Sequence, residues 1–170
     1  MRFVVAVLVA LGLLAVPSAQ AGFKAKARDF KCLLKGAQPA GKHFYVFHRN
    51  KRKLAKALAV AEGNLPGEEY PVGTIIQLLP IEAMAKRGGK YNPSGHGWEF
   101  FQISISPTRK SEIVSRGGAE VKNFASCQGC HLGGQAAQFD LVCEGHGAAA
   151  LPLTDVQINA IQHGDPRCLK

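Results

Sequence analysis

The sequence predicts an α+β fold, mainly an antiparallel β-sheet with a few packed helices, in a single domain. Three observations point there. Segments rich in aromatic and β-branched residues recur along the chain, as in "HFYVFH", "TIIQLLP" and "WEFFQISIS", and read as strands. Long helices do not alternate regularly with them, which argues against a parallel doubly wound sheet. The chain of 170 residues suits one domain once its leader is set aside.

That leader is residues 1–21. Arg2 precedes an apolar run from Phe3 to Val16, and the small residues Ser18, Ala19 and Ala21 follow. This is the layout of a secretory signal peptide, with cleavage expected before Gly22 and the domain spanning 22–170. The run is short for a membrane anchor, and no later stretch is long and apolar enough to span a bilayer. Export to the periplasm is expected. Arg2 leaves with the leader, so the formal charge falls by one from +9. The densest basic stretch, "HRNKRKLAK" at 48–56, reads as the solvated face of a helix that an acidic partner protein could meet. Nothing resembles a nucleic-acid module.

Along the domain, 27–37 has a short-helix pattern with Phe30, Leu33 and Leu34 on one face. Residues 43–48 form a strand. Residues 51–62 form a helix with Leu54, Leu58 and Ala61 at helical spacing, ending at Gly63. The strand 74–80 is nearly all apolar and should be buried on both faces. "IEAMAKRG" reads as one or two helical turns. Residues 98–106 carry the strongest strand pattern, with Trp98, Phe100 and Gln102 on one face and Phe101, Ile103 and Ile105 on the other. "RKSEIVSRGG" has no decided type. "FDLVC" (139–143) reads as a short strand, and a terminal helix starts near Thr154 or Asp155 and stops at Gly164.

The chemistry concentrates in "ASCQGCHLGG" (125–134). A thiol–disulfide oxidoreductase would place Cys127 and Cys130 near the start of a βαβ pattern, and that context is missing. Zinc needs a second ligand pair, for which only a half-site of Cys143 and His146 can be written. C-x-x-C-H is the signature of covalent haem c. Thiols three residues apart on one turn can each bond a vinyl group, and the adjacent imidazole can ligate iron. Gln128 and Gly129 need only be compact. Attachment takes place outside the cytoplasm, where the leader sends the chain. The expected cofactor-binding residues are therefore Cys127, Cys130 and His131, with His131 the metal ligand and one haem c the cofactor.

For a sixth ligand the processed chain offers Met84, in a core-like "IEAMA" setting, and histidines 43, 48, 96, 146 and 163. None stands out. Cys32, Cys143 and Cys168 lie outside the motif. One disulfide and one free thiol should result, and spacing alone leaves the pairing open.

The run "YPVGTIIQLL", then "EAMAKRGGKYNPSGHGWEFF", "ASCQGCH" and "QFDLVC" resembles the cytochrome P460 family, which includes the cytochromes c′-β, over roughly residues 40–145 by motif matching. The resemblance implies an antiparallel sheet with a few helices and a five-coordinate haem iron with an open, apolar distal pocket. Members that oxidise hydroxylamine cross-link a lysine to the porphyrin from the strand after the tyrosine–proline segment. Here that strand has no lysine: Leu78 aligns best, with Gln77 beside it. The resemblance therefore implies the c′-β branch and a small diatomic ligand such as nitric oxide, with Phe44 and Phe47 available to wall the pocket. A hydroxylamine- or nitric-oxide-oxidising enzyme is the alternative. It would need a distal proton acceptor, for which Glu68, Glu69, Asp140 and His96 are the options. Simple electron transfer through a six-coordinate haem is a third reading. The partner classes considered are a diatomic ligand, an acidic redox protein and a second copy of the chain.

Overall fold

Six strands follow one another across a single antiparallel sheet in chain order. In the computed structural model, residues 22–40, 43–88, 90–123, 125–133, 139–142 and 153–169 are described. Residues 1–21, the expected leader, and Cys143 and His146 lie outside them. The strands are β1 Gln38–Ala40, β2 Phe44–Phe47, β3 Ile75–Gln77, β4 Glu82–Lys86, β5 Trp98–Ile105 and β6 Ser111–Gly117. The helices are α1 Lys51–Ala61 between β2 and β3, α2 Cys127–His131, and α3 Asp155–His163. Among the described residues, no helix is long and apolar enough to cross a membrane.

Both faces of the sheet are covered, which explains the near-continuous apolar strands. On one face Phe44, Val46, Ile76, Met84, Trp98 and Phe100 pack with Ala57, Val60 and Ala61 of α1 and with Val121, Leu141 and Val142 near the Cys–His segment. On the other, Ile75, Ala83, Ala85, Phe101 and Ile103 pack with Ala25 and Phe30 of the N-terminal segment. β3 is buried at all three positions, as its composition predicts. Side chains alternate along a strand, so Phe44 joins the first layer and Phe47 flanks the second. These two rings cannot wall one pocket together.

β4 corrects the expectation of helical turns. Glu82, Ala83, Met84, Ala85 and Lys86 are good helix formers taken singly, yet they pair with Gln102, Phe101, Phe100, Glu99 and Trp98 of β5. Pairing on both sides, with β3 and β5, outweighs that preference. The undecided segment after Pro107 is β6. Its register with β5 slips between Gln102 and Ile103, a bulge that leaves Val114 unpaired and 59% exposed.

Residues 27–37 form only a 3₁₀ turn at Ala27–Asp29. Leu33 donates its N–H to buried Asp165 at 3.1 Å, and Cys32 is bonded to Cys168. Those long-range ties take the backbone out of a helix. Phe30 and Leu33 are buried as expected, whereas Leu34 is exposed.

α1 is capped by Asn50, whose side chain accepts from Lys53 N–H. α3 is capped by Thr154, with Gln157 completing the reciprocal capping pair, and ends at Gly164. Buried Gln162 of α3 donates to the carbonyls of His43 and Leu78, fixing α3 beside the ends of β2 and β3.

Candidate functional site

α2 consists of the motif alone, Cys127–His131. Such a short helix forms because its ends are held from outside. Ser126 accepts the N–H of Gly129 at 3.2 Å through its hydroxyl, and Cys127 donates its N–H to the Val121 carbonyl at 3.1 Å.

The side chain of Gln128 supplies the deepest anchor. Only 4% exposed, it accepts from Asn92 Nδ2 at 3.0 Å and donates to Ser94 Oγ at 3.1 Å. Asn92 also donates to the Trp98 carbonyl at 2.8 Å, tying α2 to the start of β5. The first residue between the two cysteines is therefore a structural anchor, a correction to the expectation that it need only be compact. Gly95 makes the approach possible: a Cβ there would lie 2.2 Å from Asn92 Nδ2 and 3.0 Å from Gln128 Oε1.

Cys127 and Cys130 are half-buried free thiols. Burial pushes the Cys127 thiol up, and the nearby charge of Glu82 adds to it. A nucleophilic redox cysteine is tuned the opposite way, so the oxidoreductase reading gains nothing here. Among the described residues, the potential metal-ligand groups assemble only at Cys32, Asp165 and Cys168. The two sulfurs of that cluster are bonded to each other, and Asp165 is taken by Leu33 N–H and Arg167. No second pair of zinc ligands meets Cys127 and Cys130 among the described residues.

The ring of His131 lies 5.5 Å from that of Phe100, centroid to centroid. Its Nδ1 is 2.9 Å from the Leu141 carbonyl. A carbonyl only accepts, so the ring proton sits on Nδ1 and the lone pair on Nε2. Burial holds the His131 pKa below its ordinary value, favouring the uncharged ring, although the Leu141 carbonyl pulls it up. A neutral imidazole with Nδ1–H on a backbone carbonyl is the form in which histidine ligates metals. Beside it, Cys127 packs against the apolar layer that contains Phe100 and Leu141. The donor set of two thiols and one oriented imidazole fits a covalently held haem.

Residues 139–142 are a turn, correcting the expected strand. Asp140 and Leu141 both have left-handed backbones, φ 51° and 73°. Asp140 is buried, and its carboxylate accepts from Lys86 Nζ at 2.6 and 2.8 Å and from Tyr70 N–H at 2.8 Å. Burial pushes its pKa up while Lys86 draws it down. As a proton acceptor it is already occupied. It also precedes Leu141, whose carbonyl faces the Nδ1 side of His131, away from Nε2. Glu69 and His96 stand at the rim of the same cluster, 3.5 Å from Lys86 Nζ and 3.6 Å from Asp140. Glu68 pairs with Lys56 at the surface. The four expected acceptors thus divide into one cluster of three and one surface residue.

Met84 is a core residue, 4% exposed, paired across the sheet with Ile76 and Phe100. The described histidines have other partners. His43 Nε2 lies 3.1 Å from Asp155; His48 meets the Val72 carbonyl through Nε2 and Asn50 N–H through Nδ1; and His163 Nδ1 meets the Asn159 carbonyl. Gln77 donates to the Glu82 carbonyl, and Leu78 packs against the first core layer. A shallow hollow floored by Phe47 and Ile75 lies on the opposite face of the sheet and is edged by Lys31 and Lys35.

Glu82 opens β4 and accepts from Asn123 Nδ2 at 2.9 Å. Burial holds its carboxyl above the ordinary value, with the Asn123 bond pulling the other way. The folded state therefore keeps this proton more tightly than the unfolded chain. The stability it contributes is complete below the ordinary glutamate range and is lost as pH rises through the raised value. Glu82→Gln, uncharged throughout, is expected to gain stability over the wild type near pH ~7, with the gap closing towards pH ~4. Denaturation midpoints across that range measure it, and a gap that widens on acidification contradicts the assignment.

Comparison of the chain with protein-family models, with curated proteins and with solved structures finds no match in any of the three.

Proposed function

We propose that the chain is an exported, periplasmic monohaem c-type cytochrome that binds a small diatomic ligand such as nitric oxide, or passes single electrons, through haem held by Cys127, Cys130 and His131. The observation that carries this reading is the His131 ring, its Nδ1 2.9 Å from the Leu141 carbonyl, directly after a cysteine pair on the same turn of helix. Cys127 and Cys130 would hold the group covalently, each thiol giving its sulfur to one vinyl carbon and its hydrogen to the other, with no net oxidation. When bound, haem would supply an iron centre able to change oxidation state by one electron and to bind a small ligand, with His131 as the residue that would hold the iron. Among the described residues, the Leu141 carbonyl engages Nδ1 rather than Nε2, Cys127 packs against the apolar layer, and Gln128 anchors the helix. The other partners of the described histidines and the core position of Met84 favour a sixth position left open for a ligand. The resemblance to the c′-β branch of the cytochrome P460 family points the same way. Exposed Lys51, Arg52 and Lys53 on α1 suit an acidic redox partner.

The test is the optical spectrum and intact mass of the chain made with its leader in cells that attach haem c. A mass above that of the polypeptide, with a high-spin spectrum that changes on adding nitric oxide, is the expected result. A colourless protein of polypeptide mass overturns the haem. A low-spin spectrum indifferent to nitric oxide overturns the open site, and hydroxylamine turnover would make the chain an enzyme instead.

A further inference from the structure

Lys86 is an anomaly that the haem site alone does not explain. At the end of β4, beside Trp98 of the apolar layer, its side chain is 2% exposed, and so is that of its partner Asp140. A buried ion pair is costly to desolvate and is often replaceable by apolar residues without loss of stability, so its presence invites a specific role. Its surroundings are fully engaged. Lys86 Nζ donates to both Asp140 oxygens and to the His96 carbonyl at 2.6 Å, and it sits 5.5 Å from the centre of the Trp98 ring.

The pair's effect falls on a short piece of backbone. Trp98 Nε1 donates to the Asp140 carbonyl at 2.8 Å, Tyr70 N–H to its carboxylate, and Tyr70 hydroxyl to the Val142 carbonyl at 2.7 Å. Between these bonds the chain makes two successive left-handed residues, neither of them glycine. Leucine rarely adopts that conformation, and it persists only where surrounding contacts impose it. The outcome is a Leu141 carbonyl aimed at His131 Nδ1.

We propose that Lys86 and Asp140 are positioning residues for His131: their buried pair imposes the left-handed turn that presents the Leu141 carbonyl, and so selects Nε2 as the ligating nitrogen. The iron side of this claim rests on the haem reading above. The tautomer side does not. A hydrogen bond from Nδ1 raises the electron donation of the ring to a metal. Loosening the turn is therefore expected to weaken the iron–histidine bond and to favour the reduced iron.

Lys86→Met, Asp140→Asn and, as a stability control, Asp165→Asn are compared with the wild type. Asp165→Asn breaks the buried pair with Arg167, beside the disulfide. Asp140→Asn is the milder change at the turn, because asparagine tolerates the left-handed backbone and still accepts from Tyr70 N–H. In the haem-loaded chains, Lys86→Met and Asp140→Asn should lower the ferrous iron–histidine stretching frequency in resonance Raman spectra and raise the reduction potential. Asp165→Asn should lose stability with both values unmoved. If the two turn variants lose stability but keep the wild-type frequency and potential, the positioning role is overturned. Nitrogen-15 spectra of the full chain made without haem attachment supply the second readout. His131 should carry its proton on Nδ1 in the wild type and show mixed tautomers in both turn variants. If the wild type proves to carry no haem, the haem reading fails alone and these spectra decide the positioning, an unchanged tautomer refuting it.

Discussion

Replacing Cys127 and Cys130 together by alanine is expected to abolish covalently held haem, leaving a protein of polypeptide mass and no visible absorbance after denaturing extraction. The fold should survive. Both thiols are only half-buried, and the helix that carries them is held by Ser126 and Gln128 rather than by sulfur. Either single substitution should retain haem through the remaining thioether. His131→Ala should keep the covalent link where the thiols react but lose the axial nitrogen, with a changed ferric spectrum. The measurements are intact mass and absorbance before and after acid–acetone extraction. Pigment that stays bound to the double variant through extraction would show attachment by another residue and overturn the site.

The second large effect is expected at the disulfide. Cys32 and Cys168 are 136 residues apart in sequence and bonded to each other. A cross-link closing so long a loop stabilises on the order of 5 kcal/mol in the chain-entropy account, chiefly by restricting the unfolded state. Removing both sulfurs, as Cys32→Ala with Cys168→Ala, should lower the unfolding free energy by roughly 3–5 kcal/mol, read from denaturant curves whose slope rises as the unfolded chain expands. Taking out both avoids leaving one partner free to pair with Cys143. The bond also holds the N-terminal segment against the C-terminus, where Asp165 accepts from Leu33 N–H and Arg167 donates to the Phe30 carbonyl. Hydrogen exchange should therefore quicken first around residues 30–35. An unshifted midpoint would mean that the unfolded chain is already constrained there.

Local patterns carried much of the fold. The aromatic and β-branched runs at β2 and β5, the helical spacing of α1 and the capping residues of α3 each act within a few residues, so they can be read directly from sequence. β4 could not be read that way. Its alanines, methionine and charged ends favour a helix in isolation, and it becomes a strand only because β3 and β5 offer pairing on both edges. The turn at 139–142 was concealed for a related reason. "FDLVC" has strand composition, but Lys86, Trp98 and Tyr70 reach it from 40 or more positions away and impose left-handed backbone. Phe44 and Phe47 are close in sequence, and strand alternation alone separates them onto opposite faces.

The site divides along the same line. Cys127, Cys130 and His131 are placed together on one short helix, and that placement is legible because a helical turn is local; their haem-holding role is the proposal above. Gln128, Lys86 and Asp140 carry no such signal: an amide, an ammonium and a carboxylate acquire their roles only from what faces them. Sequence by itself determined the sheet-rich class, the main helices and the thiol–thiol–imidazole order. Tertiary structure decided the pairing of Cys32 with Cys168, the strand character of β4 and the direction of the His131 ring. Each of those depends on contacts between distant segments, whose closing entropy is met only when the whole core assembles.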